Sequence, residues 1–242
     1  MQMLKSCKAI VLRVVNYNDT SNIVDVYSDI GRLSFAVKKG GGRTKSTMRM
    51  LFRPLSLLDI EAFIRPNSSI HSIREVSPSV PQLTIPYNPY KQATAFFIAE
   101  FLVHAMQDGS EDKLLFDYVS QSIMWFDNCK VGYANFHLVF LLRISQLFGL
   151  RPDTGGYHSG MVFDLQNAVF TSTLPRHGLY LNAQDTAALR QLMRMNYDNM
   201  RLFKMNREER NRCLDTILRY YSIHIADMSH LKSVEVLKEL FL

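Results

Sequence analysis

Seven basic side chains, Arg32, Lys38, Lys39, Arg43, Lys45, Arg49 and Arg53, fall in a 22-residue stretch that contains no Asp or Glu. Three consecutive glycines, Gly40 to Gly42, lie in the middle of it. Lysine and arginine displace the counterions condensed on a phosphate chain, and glycine lets the backbone come close to that chain. The chemistry this pattern suits is the grip of a polyanion. Tyr17, placed in the polar segment Asn16–Asp19, adds a ring on which an unpaired base can stack. Phe52 and Phe63 have apolar neighbours and are assigned to a core.

The elements that must position these residues read as short strands. KAIVLRVV (8–15) and NIVDVYS (22–28) are rich in β-branched residues and are separated by the turn-forming NYNDTS. RLSFAVK (32–38) alternates, with Leu33, Phe35 and Val37 on one face and Arg32, Ser34, Ala36 and Lys38 on the other, so Arg32 and Lys38 are predicted on the exposed side. SLLDIEAFI (56–64) and IHSIREV (70–76) complete a set of five. Five strands in about 70 residues suit an oligonucleotide-binding (OB) barrel. An SH3-like barrel has the same strand count and competes with it.

SPSVPQLTIPYNP (77–89) holds four prolines and is read as the linker between a domain at 1–76 and a helical domain at 90–242. Asn88 and Pro89 have the types of an N-cap and first helical residue. The apolar spacing then predicts a helix to about Gly109 and a second one capped by Ser110, with Glu111 and Asp112 in its first turn. A third is predicted over 132–148. Two short strand-like runs, 161–165 and 168–173, suggest a hairpin inside the Gly- and Pro-containing segment 151–180. Asn182 with Asp185, and Asn206 with Glu209, open two further helices, and the last covers about 231–241. The fold class is α+β.

Other chemistry finds less support. KKGGGRTKST lacks both glycines of the phosphate-binding loop at the required distances from Lys45. His158 and His177 flank the hairpin as metal ligands might, but no cysteine lies near them and a structural zinc site wants four ligands. The hydrolase motifs G-x-S-x-G and H-E-x-x-H do not occur. The expectation is therefore no enzyme, no metal and no cofactor. A metal-dependent nuclease and an RNA-binding or adaptor protein remain as alternatives.

Charge supports the same division. Of 28 Lys and Arg and 22 Asp and Glu, residues 1–80 hold 12 and 6, so the whole excess of +6 lies there. The opening MQMLKSCKAIVLRVV is expected to be a strand and not a secretory signal. No apolar run reaches membrane-spanning length, and Cys7, Cys129 and Cys213 are scattered, which fits a reducing compartment. A cytoplasmic, nucleoid-associated protein without a membrane partner is expected.

Three stretches resemble the bacterial RecO family of recombination mediators: AIVLRVVNYNDTSNIVDVYSDIGRLSFAVKKG, then GGRTKSTMRMLFRPLSLLDIE, and YYSIHIADMSHLKSVEVLKELF near the C-terminus. The resemblance implies an OB barrel followed by a helical domain. It also implies binding of single- and double-stranded DNA, strand annealing, and assistance in loading RecA, indirectly, onto DNA coated by single-strand DNA-binding protein. The implied partners are RecR and the acidic C-terminal tail of that coating protein. Arg32, Lys38, Lys39, Arg43, Lys45, Arg49 and Arg53 match the family's DNA surface. Many members carry a cysteine cluster that holds zinc after a Leu-Gly-x-x-Pro turn. The matching stretch here, beginning Leu147-Phe148-Gly149-Leu150, has no cysteine, so zinc is not carried over. Met161, Phe163, Val169 and Phe170 are expected to hold that hairpin instead.

Overall fold

The structure, a computed structural model, describes residues 3–39, 50–106, 109–150, 152 and 155–240. The glycine run Gly40 to Gly42 and the basic residues Arg43, Lys45 and Arg49 lie outside the described residues. Packing divides the chain into two compact units, Met1–Asn128 and Cys129–Leu242.

In the first unit the described strands are β1 (Met3–Asn16), β2 (Ser21–Ser28), β3 (Gly31–Lys38), β4 (Leu57–Ile64) and β5 (His71–Pro78). Their order is β1-β2-β3-β5-β4, and β4 pairs back onto β1, so the sheet closes. The β3–β5 pair is parallel at Phe35–His71 and Ala36–Ser72, and the other pairs are antiparallel. This is the OB arrangement and not the SH3-like one. Period-two alternation sends Ala9, Val11, Val24, Val26, Phe35, Val37, Leu58, Ile60 and Ala62 into one core, which Phe52 joins. Phe63 is half-buried. The alternation of β1 breaks between Val11 and Arg13, where the register to β2 shifts by a bulge.

Residues of the opposite parity, Ile10, Leu12 and Tyr27, are also buried, although they point out of the barrel. They are covered by α1 (Pro89–Ala105), which packs on β1, and by the start of α2 (Lys113–Asn128). Tyr27 donates its hydroxyl to the Asp112 carbonyl at 3.0 Å, and its ring lies 6.0 Å from that of Phe116. The Asn88 side chain accepts from the Tyr90 and Lys91 amides with Pro89 in the first turn, a cap that contributes about 1 kcal/mol. At α2 it is Asp112, not Ser110, whose carboxylate accepts from the Leu115 amide at 3.0 Å. A carboxylate satisfies that amide and faces the positive end of the helix dipole, so the cap lies two residues later than the expected one.

The proline-rich stretch is a brace. The Asp127 carboxylate at the end of α2 accepts the amides of Leu83, Thr84 and Ile85 at 2.7–2.9 Å. Burial raises the pKa of this carboxyl, and the three amides outweigh it, holding it below the ordinary value. Lys91, fully buried, donates to the Thr84 hydroxyl and to the Phe126 and Asp127 carbonyls at 2.6–3.0 Å. These bonds tie the stretch to α1 and α2, and both helices fall in the barrel's unit, where α1 packs on β1; the proline pattern grouped them with the later helices.

The second unit contains α3 (Phe136–Leu147), β6 (Val162–Asp164), β7 (Val169–Thr171), β8 (Tyr180–Leu181), α4 (Ala183–Met193), α5 (Arg207–His224) and α6 (Ser233–Leu240). The expected hairpin forms from β6 and β7 and gains β8 on the far side of β6. Phe163 packs on Phe170 and Tyr220 with centroids 5.1 and 6.3 Å away. α5 starts with a full capping box between Asn206 and Glu209.

Candidate nucleic-acid interface

The outward face of the β2–β3 hairpin carries four cross-strand pairs in order: Tyr27–Arg32, Asp25–Ser34, Ile23–Ala36 and Ser21–Lys38. The helices cover the first pair, next to the Asp29–Ile30 turn. The last pair lies at the open end and stays accessible.

Arg32 is the first correction. Alternation predicted it on the solvent side; its side chain is only 20% exposed. One guanidinium nitrogen, Nη1, donates to the Val103 and Met106 carbonyls at 3.2 and 3.3 Å, and the Arg32 amide donates to Gly109 at 2.9 Å. The Val103 and Met106 carbonyls lie at the C-terminal end of α1, where a cation is favoured. Gly31 makes the approach possible: at φ +100°, a Cβ there would lie 2.8 Å from the Gly109 carbonyl oxygen. Burial lowers the Arg32 pKa from its usual guanidinium value, Asp25 at 3.8 Å opposes that shift, and Arg13 adds to it. Arg32 therefore holds α1 to the barrel.

Asp25, almost fully buried, is shared. It takes a 2.6 Å bond from Arg13 Nε and a 2.6 Å bond from the Ser34 hydroxyl. Arg13 remains half-exposed on the outer face of β1. Sequence reasoning passed over Arg13; the signal was a single arginine inside the apolar run Val11–Val15.

At the open end, residues from different turns meet. The Lys39 ammonium donates to the Asn16 side chain and to the Asn18 carbonyl, and its amide donates to Thr20 at 2.7 Å. The Asn18 side chain accepts from the Thr20 amide at 3.0 Å, and Ser21 accepts the Tyr17 and Asn18 amides at 3.2 Å. This tight turn leaves Tyr17 62% exposed. Lys38 is exposed and has no ion-pair partner among the described residues. Tyr17, Lys38 and Lys39 thus assemble beside the outer residues Val15, Ile23 and Ala36, with Arg13 two residues farther down β1. In OB barrels the strand 2–3 face and the β1–β2 loop are common sites of oligonucleotide contact.

Arg53 lies elsewhere, in a turn bonded to β1 by the Leu55 amide to the Val11 carbonyl at 2.8 Å and the Val11 amide to Ser56 at 3.0 Å. Val11 is five residues, about 15 Å of strand, from Asn16. In the second unit, the Asp164 carboxylate takes the Gln166 and Asn167 amides at 2.9 and 3.0 Å and His177 Nε2 at 3.2 Å, while His177 Nδ1 accepts the Leu179 amide at 3.0 Å. Among the described residues no three His, Cys, Asp or Glu side chains converge on one point.

The first unit is thus an OB barrel with a basic, aromatic-bearing edge, which places the chain among proteins with an oligonucleotide-binding fold. Comparison with known families is more specific. Residues 1–81 match the family model for the N-terminal part of recombination protein O, and residues 87–235 match the model for its C-terminal part. The chain belongs to the recombination protein O family, whose curated members are DNA repair proteins. It is similar to the DNA repair protein RecO of Bacteroides fragilis, 48% identical over 99% of this chain and 100% of the relative. The corresponding protein of Phocaeicola vulgatus is 47% identical with the same coverage, and that of Porphyromonas gingivalis 32%.

Proposed function

We propose that this chain is a recombination mediator that binds and anneals DNA strands without catalytic chemistry of its own. It works with RecR on DNA coated by single-strand DNA-binding protein, whose acidic tail it docks on, and so helps RecA to load. The observation that supports the DNA-binding role best is the assembly of Tyr17, Lys38 and Lys39 at the uncovered end of the β2–β3 face. Arg53, Arg43, Lys45 and Arg49 belong to the same acid-free basic run of the sequence. Cations on this surface neutralise phosphates of two strands at once, which lowers their mutual repulsion and lets bases pair.

Annealing of complementary strands precoated with single-strand DNA-binding protein, with and without that protein's tail, tests DNA binding and docking together. Tail-dependent acceleration is expected; no acceleration on coated or bare DNA overturns the proposal. In a fluorescence titration, engagement of about four to six phosphates gives a log–log salt slope of about −3 to −4 for a single strand. With Mg²⁺ or Mn²⁺ present, the DNA is expected to stay uncut.

A further inference from the structure

We propose that the groove beside Arg53 receives one unpaired base of single-stranded DNA. The inference rests on the DNA-binding role above and adds a place where a base, as well as a phosphate, is held.

The groove measures about 220 Å³ and lies within the barrel's unit, lined chiefly by Arg53, Gln82, Ile85, Pro86, Gln92 and Phe96. No lining residue is acidic, and Arg53 has no ion-pair partner among the described residues. Phe96 is 54% exposed, while Phe97 and Phe101 of the same helix are fully buried. An exposed flat ring next to an unpaired cation is what a stacking platform with a phosphate contact requires.

The turn that presents Arg53 is held firmly. Leu55 adopts φ 63°, a left-handed conformation uncommon for a residue with a side chain, and it is fully buried. Its amide bonds to Val11 at 2.8 Å, and its carbonyl accepts Gln82 Nε2 at 2.8 Å. Gln92 Nε2 donates likewise to the Pro86 carbonyl. Both side chains are thus held by main-chain carbonyls beside the groove, and each amide keeps one N–H and its oxygen for a ligand. Every unpaired base offers donors and acceptors on its pairing edge, which side-chain amides of this kind can meet.

The three features together select the occupant. An acidic side chain satisfies the cation but leaves the exposed Phe96 ring without a flat partner. An uncharged apolar peptide leaves Arg53 unpaired. An unpaired nucleotide uses the ring, the amides and the cation, and Arg53 belongs to the same acid-free basic run as Lys38 and Lys39. Duplex bases are stacked and paired, so the groove serves single strands.

The test is fluorescence anisotropy of the full chain with 12-nucleotide dC and dT strands, an abasic strand of the same length and a duplex. Phe96→Ala is expected to weaken dC binding about fivefold or more while leaving the abasic strand, the duplex and the salt slope unchanged. Gln92→Met is expected to weaken dC and dT alike while leaving the abasic strand unchanged, and Arg53→Gln to flatten the single-strand slope by about 0.7. Phe96 and Gln92 are exposed, so these variants keep the fold. Equal losses on intact and abasic strands, or wild-type affinity in Phe96→Ala, overturn the base site. So does a same-sequence RNA or an acidic peptide that binds more tightly than DNA and depends on Phe96. A wild-type chain that binds no DNA overturns the underlying DNA-binding role instead, so the two failures are distinguishable.

Discussion

Arg32 and Lys38 occupy the same face of the same strand, six residues apart, and meet opposite fates. At the turn end of the hairpin, Arg32 and Tyr27 lie beneath α1 and α2 and are spent on helix carbonyls. At the open end, Lys38 and Tyr17 stay exposed. A trough lined by Asp29, Asp59, Glu61 and Glu75 also lies toward the turn end, across β1, β4 and β5. Positive charge in the sequence therefore does not equal positive surface. The helices that pack on the barrel decide which arginines face solvent, and the acids give the barrel an electrical direction along its strands.

The contrast can be broken most sharply at Arg32. Arg32→Ala is expected to lower stability by about 2–3 kcal/mol, because it leaves the end of α1 without a donor and Asp25 with one cation fewer. Urea denaturation checks this; a loss below about 0.5 kcal/mol would sink the structural role given to Arg32. At the other end, Lys38→Gln with Lys39→Gln is expected to weaken single-strand binding about tenfold near 0.1 M salt and to reduce the slope by about 1.4. Its melting temperature should move little, since surface changes usually stay within about 0.5 kcal/mol. Tyr17→Ala is expected to cost about fivefold on single strands and nothing on duplex, measured by competition. The smallest effect belongs to the trough: Asp59→Asn with Glu61→Gln should alter affinity by less than about twofold and act on the association rate. A larger gain in affinity would mean that DNA crosses the trough as well.

The strands were legible because one side of each is a continuous core, so a period of two shows in Phe35–Val37 and Leu58–Ala62. The caps at Asn88 and Asn206 were legible because a cap is a local bond over three residues. Arg32 was not, for an equally physical reason. Alternation divides residues between inside and outside, but says nothing about what later covers the outside, and here the cover comes from residues 70 or more positions away. Tyr17 and Lys39 were each noticed alone; their meeting depends on strand register, which no single segment carries. The β8 strand escaped notice because two residues leave no period to read, and Arg13 was hidden in an apolar run because its partner Asp25 lies on another strand.

The clasp around Asp127 and Lys91 has a practical corollary. A chain severed at residue 81, where the N-terminal family match ends, would lose Leu83, Thr84 and Ile85 together with the helices that shield Ile10, Leu12 and Tyr27. Such a piece would present a greasy flank to water and aggregate, whereas one ending at 128 would keep its shield.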